Sequence, residues 1–508
     1  MTSIPARAST TLGARARSRR SPRAPFILLG AGLAVSLALL QIPSEVPTDL
    51  RLRAALLLQL YLIPAAIYAA RARESRPPLP TLAILGLVHA TYYALPPLAG
   101  VVNAAYLPGI AGTMPYVDPV WDLPAALDLA LWGWIALLAG FAVASPFLTE
   151  RRAVARPLNV AKLIVALWLI AAVGLGAEAL GATMQLPVVL GGTIGFVKLA
   201  GRYVLTVLLA LRTRGELPRG HGKYLTACII IELILLATTG SMANPMTFGL
   251  TLSFGFWIAG GRLRPQVVGS ILVAVLIGVV LKGVAAEYRQ RTWWVSEQVT
   301  QVERTAVMRD LVADQLQTEG VSGAVVLGAQ ASMRRSATLD MLADVMRRTP
   351  REVPYWGGRT YYSLIGAFIP RFLWPTKPTK NIGNEFGHRY GYIGSHDTWT
   401  EVNMPFMLEF YANFGFSGVL IGMFLTAFII RLLDVLLNRA GSSVLRAVAA
   451  LMIIQPIFLI ESDFSLVFGG LIMNGIAMLL LVRQLEKRAA VRARAAAVPA
   501  VPPVQRVS

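Results

Sequence analysis

From residue 26 onward, long apolar runs alternate with short polar joints. Twelve apolar windows stand out, at about 26–42, 52–70, 80–101, 125–147, 160–180, 187–211, 224–240, 246–260, 266–284, 405–432, 444–460 and 464–482. Most approach the ~20 consecutive apolar residues that the hydrocarbon core of a bilayer asks of a helix. The windows at 246–260 and 464–482 are short. The pattern predicts an all-α polytopic membrane protein of about twelve transmembrane helices.

The joints test that count. With the N-terminus inside, the inside joints are 71–78, 150–157, 212–223, 261–265 and 431–443, and each carries arginine. The outside joints carry acids: Glu45 and Asp49, Asp118 and Asp122, Glu178, then Glu461 and Asp463. Cationic joints stay on the cytoplasmic side, so the alternation predicts both termini in the cytoplasm of an inner-membrane protein. The expected organisation is a basic tail (1–25), nine helices (26–284), one large periplasmic loop (285–403), three further helices (404–484) and a disordered tail (485–508).

Composition agrees. The 508 residues are 55% hydrophobic and 15% charged. The formal net charge of +20 suggests nucleic acid, but its placement does not. Arg15, Arg17, Arg19, Arg20 and Arg23 precede the first window, and Lys487, Arg488, Arg492 and Arg494 follow the last. Basic clusters there are topology determinants drawn to anionic lipid, so membrane lipids are expected partners and nucleic acid is not. The first window lacks an A-x-A cleavage pattern and reads as a retained span. The single cysteine, Cys228, is in an apolar window, and four histidines (His89, His221, His388, His396) have no HExxH spacing. No metal and no cofactor is expected. No repeat or duplication of halves stands out.

The loop between residues 285 and 403 is the candidate for chemistry. Its first part, 287–317, reads as a helix prolonging the preceding span, with Glu287 and Arg291 paired four residues apart. A second helix is predicted over 337–348, ending before Pro350. From Trp356 the chain reads WGGRTYYSLIGAFIPRFLWPTKPTKNIGNEFGHRYGY. Residues 361–372 are apolar but too short to span, which suits a re-entrant or interfacial helix. Arg359, Arg371, Lys377, Lys380 and Arg389 follow that path, beside prolines 370, 375 and 378. Cations there suit a lipid-linked pyrophosphate, whose oxygens the arginine fork grips with charge-assisted bonds. Equally, they can pair with lipid headgroups or with Glu385, Asp397 and Glu401.

Four residues are candidates to accept a proton from a sugar hydroxyl: His396, Asp397, Glu401 and Glu409. Glu409 stands out because it falls in an apolar stretch, where an ionisable group is costly. Its alternative reading is a buried ion pair; His396 and Asp397 can equally form a polar turn. Lys198 and Arg202 share a helical face, as phosphate ligands or as snorkelling cations with Glu232 as partner. His89, beside Tyr92 and Tyr93, reads as an interior histidine. Arg289 and Arg291 read as interfacial anchors or a second diphosphate contact.

The phrases GGRTYYSLIGAFIPRFLWPTKP (357–378), GNEFGHRYG (383–391) and LEFYANFGFSG (408–418) resemble Wzy-type O-antigen polymerases, the oligosaccharide repeat unit polymerases. The resemblance implies a metal-independent glycosyltransferase with a GT-C-like membrane fold. Its substrates would be undecaprenyl-pyrophosphate-linked glycans, and its partners a flippase and a chain-length regulator. Loop arginines would hold the pyrophosphate, a role open to Arg359, Arg371, Lys377, Arg389 or Arg291. The family pattern does not choose among His396, Asp397 and Glu409. Other readings are an O-antigen ligase, a transporter or flippase, which calls for inverted repeats and a midplane site, and a scaffold.

Overall fold

The computed structural model describes residues 23–71, 77–101, 120–148, 153, 158–183, 191–237, 243–260, 265–292, 301–336, 338–367, 369, 373–374, 382–398 and 400–489. The first apolar windows form α1 (Ala24–Leu40), α2 (Thr48–Ala70), α3 (Thr81–His89) and α4 (Leu95–Leu98), the last two joined by a π-turn over Ala90–Ala94. Then come α5 (Leu123–Phe147), α6 (Val160–Thr183), α7 (Gly191–Thr213), α8 (His221–Ala237), α9 (Ala243–Ile258) and α10 (Pro265–Thr292). The long joint holds α11 (Gln301–Ser336), α12 (Thr338–Arg348), α13 (Tyr362–Ala367) and α14 (Ile382–Arg389). The chain closes with α15 (Phe406–Leu437), α16 (Val444–Ile454) and α17 (Phe464–Ala489).

Among the described residues the architecture is all-helical, and each apolar window holds a helix. Among the described residues, seven stretches are long and apolar enough to cross a membrane: Thr48–Ala70, Thr81–Leu98, Leu123–Phe147, Val160–Gly181, Gly191–Thr213, Phe406–Leu437 and Phe464–Ala489. Ala24–Leu40 and Val444–Phe458 are apolar but shorter. The chain is therefore a membrane-embedded helical protein.

Its core centres on α2, α3, α5, α7, α15 and α16, with Tyr61, Trp134 and Tyr203 fully enclosed. Helix α15 lies along α5. Glycines on α5 make room for it: Gly133 faces Met407 and Val419, and Gly140 faces the backbone of Phe424. Small residues at such contacts let helix backbones approach where lipid offers no hydrophobic drive.

Two buried polar side chains, Arg51 and Asn438, are spent on backbone ends. The Arg51 guanidinium donates to the carbonyls of Leu39, Ile42 (2.9 Å) and Leu98 (3.0 Å), C-terminal carbonyls around α1 and α4. A cation suits those sites because the helix dipole makes them negative. Asn438 exchanges two hydrogen bonds with the backbone of Leu79, at 2.9 and 2.6 Å, tying α15 to the start of α3.

Prolines dock the long joint onto the bundle. In a continued helix the N–H of residue 96 would bond to the carbonyl of Tyr92, but residue 96 is proline and has none. The Tyr92 carbonyl instead accepts the hydroxyl of Thr338 at 3.1 Å, fixing the first residue of α12. Helix α12 then buries Leu339, Leu342 and Val345, and its Arg347 reaches Asp122 before α5 at 3.6 Å.

The first half of the joint departs from expectation. A single helix over 287–317 is replaced by two: α10 ends at Thr292, and α11 returns against it. Val284, Tyr288 and Leu311 form the hairpin's own small core, and Gly328 abuts the Val279 carbonyl. The glycines Gly283 and Gly328 permit that close approach. Residues 293–300, with Trp293 and Trp294, lie outside the described residues.

Candidate functional site: a buried carboxylate under a glycine turn

The site begins with a break. Gly415 has φ 66° and ψ −152°, so α15 is two helical segments, 406–414 and 416–437, meeting at a non-helical residue. A side chain at 415 would be strained by that φ and would also meet the Tyr355 hydroxyl at 2.8 Å. Past such a break the N–H groups of residues 416 and 417 cannot serve the carbonyls of Ala412 and Asn413 in the normal way. The loop serves them: Trp356 N–H donates to Ala412 O at 3.0 Å, and Gly357 N–H to Asn413 O at 3.3 Å.

Two consecutive left-handed glycines, Gly357 (φ 58°) and Gly358 (φ 88°), fold the turn that makes those contacts. Asn413 holds the turn from below. Its Oδ1 accepts from Gly358 N–H at 2.8 Å, and its Nδ2 donates to Thr360 Oγ1 at 2.9 Å and Glu409 O at 2.8 Å. The hydroxyl of Ser465, on α17, donates to the Thr360 carbonyl at 3.0 Å. Three segments far apart in sequence, 356–361, 409–413 and 464–465, thereby close on one another.

Glu409 lies between them with no solvent exposure. Its Oε2 accepts the N–H of Phe464 at 2.7 Å, the first residue of α17. A helix N-terminus presents free N–H groups and positive partial charge, a natural seat for a carboxylate. Its Oε1 is buried and has no hydrogen-bond partner. Tyr361 packs beside it, 6.4 Å from the Phe410 and Phe414 rings and 5.9 Å from Phe464 between centroids. The Tyr361 hydroxyl is likewise buried and without a partner. Burial first, and then the neighbouring Glu409 carboxyl, raises the Tyr361 hydroxyl above the usual phenol range, so it remains a donor.

The turn gives a stability prediction. Alanine at 358 would occupy a left-handed conformation and put its Cβ 3.1 Å from Phe414 Cζ. The backbone term alone costs about 1–2 kcal/mol, so Gly358→Ala is expected to lower the melting temperature of purified protein. Unchanged melting would show that the turn is not held as described.

Other residues singled out from the sequence occupy distinct places. Arg359 is exposed and pairs with Glu385 at 3.2 Å. Arg389 stacks its guanidinium 4.5 Å over the Trp356 ring and donates to the Pro354 carbonyl at 2.6 Å, so it braces the turn. Asp397 is a turn residue whose Oδ1 accepts Thr400 N–H at 2.8 Å and whose Oδ2 accepts the Thr400 hydroxyl. His396 is exposed beside it. Glu401 accepts Asn384 N–H at 2.8 Å. Arg291 pairs with Glu287 near the C-terminal end of α10. Arg371, Lys377 and Lys380 lie outside the described residues. Glu409 is thus not brought against His396 and Asp397; its neighbours include Thr360, Tyr361, Asn413, Asp463 and Phe464.

A second polar centre joins α6, α7 and α8. Arg202 reaches Glu178 and Glu232, each at 2.7 Å, and Lys198 reaches Glu178 at 3.4 Å. Glu178 was expected in a joint; it is instead buried inside α6, because two cations on α7 neutralise it. His89 is an interior residue, its Nδ1 2.8 Å from Leu85 O, among the rings of Tyr61, Tyr93 and Trp134.

Thr360, Tyr361, Asn413 and Ser465 were not singled out from the sequence. Asn413 had a signal, since it is four residues after Glu409 and shares its helical face. The others are ordinary in a sequence and become special only through long-range contact.

Fold and site together define a membrane-embedded helical protein with a carboxylate enclosed where a loop turn, a broken helix and a helix N-terminus meet. The chain belongs to a family described as a domain of unknown function, DUF8712, whose model matches residues 129–491. That range contains every residue of the site. No curated protein and no solved structure matches the chain.

Proposed function

We propose that the protein polymerises undecaprenyl-pyrophosphate-linked oligosaccharide repeat units on the periplasmic face of a bacterial inner membrane. In this reading about twelve helices span the membrane in a GT-C-like arrangement, with both termini cytoplasmic and residues 285–403 on the periplasmic side. The observation that carries it is Glu409: a carboxylate buried at a helix N-terminus, with one oxygen unspent, beneath a turn that bears Arg359. An unspent buried acceptor is costly to keep, and general-base work is a reason to keep it.

The step is a displacement at the donor's anomeric carbon. The bond from that carbon to the diphosphate oxygen breaks, its electron pair leaving with the diphosphate. A new bond forms to the acceptor hydroxyl oxygen, whose proton passes to Glu409 Oε1. Arg359 and Arg371 neutralise the departing diphosphate. Because Glu409 is covered, the Trp356–Arg359 turn must lift to admit substrate, with Tyr361 staying in its aromatic stack. A flippase and a chain-length regulator are the partners this reading expects.

A transporter or flippase is the second reading, favoured by the break at Gly415 in an apolar helix beside a buried acid. An O-antigen ligase would use the same donor. Cells lacking the protein should accumulate single lipid-linked repeat units on the periplasmic side. Accumulated long lipid-linked chains would indicate a ligase instead, and single units trapped on the cytoplasmic side a flippase. Arg359→Ala and Arg371→Ala should shorten the polymer while the protein remains inserted. Wild-type chain length in both would remove the arginines from the account.

A further inference from the structure

The enclosed site holds two unpartnered polar atoms, and they are complementary. Glu409 Oε1 accepts and Tyr361 Oη–H donates, yet they do not bond to each other or to any other group. Most groups around them are already spent: Asn413 donates to Thr360 Oγ1 and Glu409 O and accepts from Gly358 N–H, Ser465 gives its hydroxyl to Thr360 O, and Phe464 N–H goes to Oε2; the Thr360 hydroxyl is the remaining donor beside both. The Tyr361 ring cannot easily turn its hydroxyl elsewhere. It is stacked on Phe414 at 16° and stands edge-on to Phe464 at 88°.

A buried donor and a buried acceptor left open together fit one kind of ligand group, a hydroxyl, which accepts from one and donates to the other. We propose that Tyr361 is a second residue on the attacking hydroxyl, its Oη–H donating to the oxygen of a glycan hydroxyl whose proton points at Glu409 Oε1. This rests on the polymerase reading for the identity of the glycan and adds a residue to it. Tyr361 gives a hydrogen bond and keeps its proton; the hydroxyl's proton is the one that moves, to Glu409. The phenol thus aims the nucleophile's lone pair and fixes which hydroxyl enters.

Tyr361→Phe separates this role from a structural one. The change keeps the ring in its aromatic stack and deletes only a hydroxyl with no partner. Removing an unsatisfied buried group does not weaken a fold, so the melting temperature should hold or rise. Function should go the other way. The probe is a polyprenyl-diphosphate-linked oligosaccharide, used with purified protein both as substrate and as a stabilising ligand in thermal melts.

The expected result is that wild type is stabilised by the probe and elongates it. Tyr361→Phe should lose the ligand-induced stabilisation and about tenfold or more of kcat. Stabilisation of wild type without elongation, again lost in Tyr361→Phe, would sink the polymerase reading and keep the contact. Equal ligand-induced shifts in the two proteins, including no shift in either, overturn the inference; the open pair then serves a resident water alone. A lower melting temperature of unliganded Tyr361→Phe would also overturn it, since the hydroxyl would then be structural.

Discussion

Glu409→Gln is expected to abolish elongation while the protein folds and inserts as before. The amide is isosteric with the carboxyl, and its oxygen can keep the bond from Phe464 N–H that Oε2 now accepts. What it loses is the second oxygen's lone pair, replaced by an NH2 that cannot take a proton. General-base contributions run at roughly 10²–10⁴ in rate, so the product should be single repeat units even after long incubation. The melting temperature should not fall, because the amide keeps the bond from Phe464 N–H and replaces an oxygen that lacked a partner with a group of the same size. Gel analysis of glycan length, beside a thermal melt of the same preparation, reads both. A variant that elongates normally would make Glu409 a structural acid seated on α17.

Arg202→Met is expected to be the most damaging change to the fold. Among the described residues, Arg202 is the cation that forms ion pairs with both Glu178 and Glu232, whose side chains are 5% and 3% exposed. Methionine keeps much of the stem and removes the guanidinium, leaving Glu232 without its cation and Glu178 with only the longer Lys198 contact. Breaking a buried pair by removing one partner costs about 3–5 kcal/mol. In a membrane-embedded bundle, that should appear as loss of monodisperse protein on size exclusion in detergent. Adding Glu232→Gln should restore part of it by removing the orphaned charge. Monodisperse Arg202→Met with wild-type melting would show that the cluster is not what joins α6, α7 and α8.

Much of this architecture is legible along the chain because it is local. Helix existence follows from runs of apolar residues, and all twelve windows are helices with ends shifted by a few residues. The 337–348 helix and the Glu287–Arg291 pair follow from spacing alone, and both are present. Glu232 as the partner of Arg202 is also readable, since unpaired charges in adjacent apolar helices must meet. Glu178 was harder, because hydropathy alone cannot separate an acid at a helix end from one neutralised within it.

The site was less legible because its parts are distant in sequence. Glu409 announces itself as an acid in an apolar run. Its setting depends on contacts 55 residues away, to Phe464 and to the Gly358 turn through Asn413. The break at Gly415 adds a further long-range tie, since it opens the Ala412 and Asn413 carbonyls that Trp356 and Gly357 then close. Nothing in a single glycine between Phe414 and Phe416 distinguishes that break from a helical glycine. The α10–α11 hairpin escaped for a similar reason: its small-residue contacts pair positions that the window reading treats separately.

The most direct test of the central claim is elongation by the purified wild-type chain, given only lipid-linked repeat units and a chelator for divalent metals. A ladder of products differing by one repeat unit is predicted, and it should vanish in Glu409→Gln. Absence of a ladder both with the chelator and after divalent metal is restored, in protein that melts cooperatively, would contradict the account.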